Sequence, residues 1–220
     1  MRTRFHQSLD ELKEKLLVMA GFAEQAIQRS IEAYRTRDMA LVELVRRSEP
    51  AINRLEREID ATALDLLAME QPMAVDLRFI LSVIRINADL ERVGDLAVNI
   101  AMRTRDSVDL AQVDLPVDIP RLGTLAAAMI RKALEAFIDG DAELAESVLA
   151  LDDQVDELNT AAFAALSALI RDQPWLTAQA LNALLISRNL ERVGDHATNI
   201  AEDVVFWVHG RDVRHKMNAA

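Results

Sequence analysis

The sequence predicts an all-α protein, two tandem three-helix bundles related by internal duplication, and three observations lead there. The stretch LERVGDLAVNIA, Leu90 to Ala101, returns with two changes as LERVGDHATNIA, Leu190 to Ala201. A separation of one hundred residues makes each copy a compact unit rather than one blade of a solenoid. Apolar residues also recur by threes and fours over long segments on either side of a central break. Finally, 51% hydrophobic residues with 4% aromatics, six glycines and five prolines is the composition of long packed helices, leaving little for strands.

The first helix is expected from Phe5 to about Arg35, seamed by Leu9, Leu12, Leu16, Met19, Ala23, Ala26 and Ser30. Arg37-Asp38 marks a break, with Asp38 as N-cap of a second helix that reaches about Met69. Its expected seam is Ile52, Leu55, Ile59, Thr62, Leu66 and Met69, and Pro72 closes it or opens the next. A third helix, about Met73 to Arg105, alternates four and three through Phe79, Val83, Ile86, Leu90, Val93, Ala97 and Ile100.

Between Val108 and Pro120 the periodicity fails and two prolines occur, which marks a linker. Helices then follow from about Arg121 to Ile138, with Gly140 as a stop, and from about Asp141 to Arg171. Gln173-Pro174 echoes Gln71-Pro72 before a last helix from about Trp175 to Val208. Its seam is Ala183, Ile186, Leu190, Val193, Ala197, Ile200, Val204 and Trp207. The units are therefore residues 1–107, a linker 108–119, residues 120–210, and a polar, loose tail 211–220.

Within the repeat, Glu91, Asp95 and Asn99, matched by Glu191, Asp195 and Asn199, are spaced by four and stack on one helix face. Roughly opposite the apolar seam, they are expected to point away from the core. Stacked carboxylates repel by about 0.2 to 0.5 kcal/mol per pair, and their Cβ atoms lie about 5 to 6 Å apart, so a divalent cation would relieve the arrangement. The middle helices carry similar stripes: Glu49, Asn53, Glu56 and Asp60, and, shifted by 103, Asp152, Asp156 and Asn159, with Phe163 in the fourth place. A tight oxygen site needs ligands from a second helix, which makes these stripes the natural partners of the ladders. The rival reading is that both are solvated faces of acidic helices. Gly94 and Gly194, each about 1 kcal/mol worse than alanine inside a helix, indicate close approach of a ligand or of a packed neighbour. Arg92 and Arg192 are expected in surface ion pairs, and His196, which replaces Leu96, in a structural or peripheral place.

A formal charge of −11 argues against binding nucleic acid or anionic lipid, both of which require concentrated basic surface. No run approaches the roughly 20 apolar residues of a membrane span, and no signal peptide is visible, so a soluble cytoplasmic protein is expected. Without cysteine, metal ligands are restricted to mostly hard donors. Neither ladder offers the Glu-x-x-His spacing of ferritin-type dimetal enzymes, and no partnered nucleophile or phosphate-cradling loop stands out. An enzyme is not expected. The alternative kept beside that is a carboxylate-bridged dimetal phosphoesterase or oxidase, and a third is a purely structural oligomer.

The paired LERVGD segments, QPMAVDLRFI from Gln71 to Ile80, and GRDVRH from Gly210 to His215 resemble the PhoU family over essentially the whole chain. The resemblance implies a negative regulator of phosphate uptake and of phosphate-starvation signalling. Its expected partners are the ATPase subunit of the phosphate ABC transporter and a phosphate-sensing histidine kinase, met at the membrane face, and the chain is expected to form a homodimer. It also implies multinuclear iron or other ions, with zinc, manganese and magnesium as alternatives, at E(D)xxxD motifs. Here those motifs correspond to Glu91 with Asp95, Glu191 with Asp195, Glu56 with Asp60, and Asp152 with Asp156. Phe163 replaces the equivalent of Asp60, so the two sites should differ in affinity.

Overall fold

The computed structural model describes residues 2–211 and residue 213, with side chains from residue 5 onward, so most of the expected tail lies outside the described residues. Among the described residues there are six long helices: α1 Arg2–Thr36, α2 Met39–Glu70, α3 Val75–Asp106, α4 Ile119–Asp139, α5 Ala142–Asp172 and α6 Thr177–His209. A single 3-10 turn, Pro174–Leu176, precedes α6, and no strand occurs among the described residues. Helices α1, α2 and α3 pack on one another, as do α4, α5 and α6, which gives the two bundles.

Local chemistry sets the boundaries. Asp38 accepts a hydrogen bond from the Ala40 amide (2.8 Å), and Asp141 accepts one from the Leu144 amide (2.9 Å), each satisfying a donor left over at a helix start. Gly140 and Gly210 end α4 and α6 in the left-handed conformation, a position that glycine occupies without Cβ strain. Pro120 falls in the first turn of α4 rather than in the linker, where its missing N–H costs nothing.

The seams of α1, α3 and α6 are buried as expected, apart from Leu9 and Trp207, which are only partly covered. Met69 departs from the expected α2 seam: it is exposed in the last turn of the helix.

The bundles lie side by side. Helix α3 runs antiparallel to α6, as shown by the successive pairs Arg78 with Trp207, Ser82 with Asp203, and Asp89 with His196. Helix α1 packs likewise along α4, where the Lys13 ammonium donates to the Ile138 carbonyl (2.7 Å) and Arg131 pairs with Glu24 (2.8 Å). One continuous apolar core therefore fills both halves.

Phe79, Phe137 and Trp207, from α3, α4 and α6, meet at the junction with ring centroids 5.2 to 5.9 Å apart. Phe137 is wholly buried in this cluster. Truncating it leaves a cavity between the bundles, so Phe137→Ala should cost about 3 to 5 kcal/mol, read as a fall in thermal midpoint on the order of 10 °C.

Candidate cation-binding grooves

The inner rungs of the ladders, Glu91 in the first bundle and Glu191 with Asp195 in the second, face carboxylates of the middle helix of their own bundle. Four residues subtend about 400°, so successive rungs rotate by about 40°. The first rung is thereby turned toward the core and the last toward open solvent. The Glu91 side chain retains 18% exposure and that of Glu191 11%, whereas Asn99 and Asn199 are exposed. The expected orientation, with the ladders opposite the seam, is thus corrected for the inner rungs: Glu191 belongs among the buried residues.

The middle-helix stripes do approach the ladders. Burial raises the affinity of Glu91 for its proton, and the neighbouring charges of Asp95, Glu56 and Glu49 add to the effect against the opposing Arg92. In the second bundle burial again acts first on Glu191, reinforced by Asp195, Asp156 and Asp152 and opposed by Arg188. Asp195 is raised by burial and by Asp156. Asp152 is the most perturbed, pushed up to about 6 by burial and by the charges of Asp156, Asp195 and Asp153.

Several buried oxygens here lack a hydrogen-bond partner: Asn53 Oδ1 in the first groove, and Asp152 Oδ1 and Glu191 Oε2 in the second. Hard, partly desolvated oxygens of this kind suit a divalent or trivalent cation. Among the described residues, however, no three His, Asp or Glu side chains already stand together as a ligand set. The grooves present donors without closing them around a point.

Other members of the stripes have protein partners. Asp60 Oδ1 accepts from the Asn87 amide (2.9 Å), and Asn159 Oδ1 accepts from the Ser187 hydroxyl (2.8 Å). Asn199 donates across the bundle junction to Asp89 Oδ1 (3.1 Å). Asp153, Asp156 and Thr160 line the open side of α5, and Phe163 projects beyond Asn159.

The glycines are explained by packing. A Cβ on Gly94 would stand 2.8 Å from Ile52 Cδ1, and one on Gly194 would stand 3.2 Å from Val155 Cγ1. Equivalent residues of α2 and α5 therefore press on equivalent glycines, which fixes the shift of 103 between the middle helices. In that register Asp152 and Asp156 occupy the places of Glu49 and Asn53, so the two grooves hold different donor sets. Arg92 contacts Glu91 (3.5 Å) and Asp95 (3.9 Å) on its own helix, and Arg188 pairs closely with Glu191.

Sequence reasoning missed Asp89 and Asp203. Asp89 receives His196 Nδ1 at 2.7 Å, and buried Asp203 pairs with Arg85 at 2.9 Å. The available signal was that the two copies differ here: His196 stands against Leu96, Asp89 against Asn189, and Arg85 against Leu185.

With this geometry in place, comparison with known proteins is decisive. A family model described as the PhoU domain matches twice, over residues 16–104 and 119–204. The chain belongs to the PhoU family. It is 36% identical over 213 residues to the phosphate-specific transport system accessory protein PhoU homolog of Pseudomonas aeruginosa, covering 96% of this chain and 88% of that one. The homolog of the same description from Rhizobium meliloti is 34% identical over 94% of this chain and 87% of its own. The crystal structure of PhoU from Pseudomonas aeruginosa superposes with a TM-score of 0.90 at 34% identity, over 94% of this chain and all of the other. The PhoU regulatory protein from Streptococcus pneumoniae gives 0.87 at 28% identity, over 95% and 99%. PhoU is a family of accessory proteins rather than enzymes, and the dimetal-enzyme alternative is set aside.

The raised affinity of Asp152 for its proton has a consequence for stability. The folded protein binds this proton more tightly than the unfolded chain, so stability is lost as pH rises from about 3.8 to about 6 and stays lost above that range. Without divalent ions at pH 7.5, Asp152→Asn should stabilise by about 1 to 2 kcal/mol after solvent screening, read as a rise of about 2 to 6 °C in calorimetry. The gain should shrink as the pH is lowered toward 4.

Proposed function

We propose that this protein is a cytoplasmic regulatory adaptor that restrains phosphate uptake and phosphate-starvation signalling. Its partners in this reading are the ATPase subunit of the phosphate ABC transporter and a phosphate-sensing histidine kinase. Membership of a family whose matched relatives are named as accessory proteins of the phosphate-specific transport system carries it. No described helix is long and apolar enough to cross a membrane, consistent with contact to the membrane through partners. The adaptor works as a homodimer in this reading.

The grooves supply the second part of the proposal. A divalent or trivalent ion, iron or alternatively zinc, manganese or magnesium, is held by Glu91, Asp95, Glu49, Asn53 and Glu56 in the first bundle. In the second the holders are Glu191, Asp195, Asp152 and Asp156. Asp60, Asn99, Asn159 and Asn199 serve as outer or supporting groups. The support is the concentration of desolvated, mutually repelling carboxylates with unpartnered oxygens. Such an ion, when bound, neutralises the groove and ties the middle helix to the last.

Two measurements test these parts separately. Protein purified without chelators should carry metal by elemental analysis, and Asp95→Ala with Asp195→Ala should lower both the metal content and the melting temperature of that form. Unchanged stoichiometry would remove the ion from the proposal. Deletion of the gene should give phosphate uptake that ignores external supply, and normal repression in its absence would refute the adaptor role.

A further inference from the structure

The two grooves differ in the cations that the chain itself brings to them. In the first, Arg92 reaches Glu91 (3.5 Å) and Asp95 (3.9 Å) from its own helix, and three residues before Glu91 stands Ala88. In the second, three residues before Glu191 stands Arg188, which pairs closely with it. The internal shift of 100 residues makes Ala88 and Arg188 counterparts. One copy thus carries a tethered guanidinium where the other carries a methyl group.

Arg188 stands among the most crowded carboxylates of the molecule. Glu191 is buried, with Oε1 taken by Arg188 and Oε2 without a partner. Asp152 approaches from α5: its Oδ1, also buried and unpartnered, would lie 3.6 Å from a Cβ on Gly194. Asp156 adds a charge that bears on both Glu191 and Asp195. Among the cations facing these groups, Arg188 acts on Glu191 and Asp195, and on Asp195 it outweighs His196 and Arg192. His196 is itself engaged by Asp89. A guanidinium donates from a planar fork and suits a single carboxylate, whereas a metal ion gathers oxygens from several directions. Asp152 Oδ1 and Glu191 Oε2 are the oxygens that Arg188 leaves over.

We infer that Arg188 is a tethered counter-cation that competes with a metal ion for the second groove: it caps Glu191 while no ion is bound and turns aside when an ion takes Glu191, Asp152, Asp156 and Asp195. There is room for the movement. The Arg188 side chain is 58% exposed and lines a cavity of about 370 Å³ between α5 and α6, with Thr160 and Phe163 on the facing helix. Two cations beside one carboxylate repel each other, so the ion binds more weakly for as long as the guanidinium stays. The second groove therefore fills at a higher ion concentration than its carboxylates alone would set, and filling it releases an arginine onto the surface of α6. The first groove, with Ala88, lacks this competitor. This inference deepens the ion part of the proposed function and rests on it.

The probe is manganese(II) alone, added to the full chain after chelator treatment and dialysis, with bound and free ion distinguished by electron paramagnetic resonance. An Asp95→Ala background confines the reading to the second groove, and an Asp195→Ala background confines it to the first. Arg188→Gln removes the charge and keeps part of the stem, Arg188→Lys keeps the charge, and Ala88 is exposed enough to accept arginine. A melting curve in chelator verifies that each variant folds. Arg188→Gln should tighten binding in the second groove roughly tenfold, the scale of a partly exposed charge beside the ion. Arg188→Lys should stay near the parent, and Ala88→Arg should weaken binding in the first groove. Added manganese should also raise the melting temperature of Arg188→Gln more than that of the parent. Weaker or unchanged binding by Arg188→Gln overturns the inference, and so does equal tightening by Arg188→Lys, which would assign the effect to shape rather than charge. The two levels fail separately: a wild-type chain that binds manganese while Arg188→Gln changes nothing removes this inference alone, whereas no saturable binding by wild type or any variant removes it together with the ion.

Discussion

The antiparallel contact of α3 with α6 is the constraint on which the rest of the molecule depends. It places the two bundles side by side, merges their apolar interiors and sets which face of each last helix remains for chemistry. Along it run three kinds of interaction: the aromatic cluster of Phe79, Phe137 and Trp207, the ion pair of Arg85 with buried Asp203, and the bridge from His196 and Asn199 to Asp89. Burial of Asp203 makes its pairing more than decorative, because a buried carboxylate without a partner is costly. Ser82 adds a hydroxyl donated to the Asp203 backbone carbonyl.

With that face consumed, the inner rungs of each acidic ladder are left facing carboxylates of the middle helix of their own bundle. The close approach of Ile52 to Gly94, and of Val155 to Gly194, brings the helices near enough for their carboxylates to repel one another. Missing side chains at two positions thus govern the electrostatics of their neighbours. The inequality of the halves follows from the same packing, since the register fixed by these contacts sets Asp152 and Asp156 opposite the second ladder and Glu49 and Asn53 opposite the first.

Much of this was legible in the sequence. The seams of α1, α3 and α6 could be read because a helix buries one face at a fixed period, and the doubled LERVGD segment revealed the two-bundle plan. The pairing of ladders with middle-helix stripes followed from the need for a second ligand-bearing helix. The depth of Glu191 did not, because the opposite-face argument treats a four-residue ladder as straight, whereas each rung turns further round the helix. Met69 keeps the period of the α2 seam and is nonetheless exposed in the last turn, so spacing alone did not place it. Contacts such as Asp89 with His196 join positions more than a hundred residues apart through side chains present in one copy only, so neither periodicity nor repetition marks them as a pair.

The length of chain between the contacting residues has a thermodynamic consequence. Lys13 to Ile138 spans 125 residues, Arg78 to Trp207 spans 129, and Asp89 to His196 spans 107. The entropy of loop closure grows only logarithmically, by about 0.6 kcal/mol for each doubling of length, and it is incurred once. After any one of these contacts has aligned two rigid helices, the others join groups that are already neighbours. The seam between the bundles therefore closes as a unit, and states in which it is half unzipped are sparsely populated.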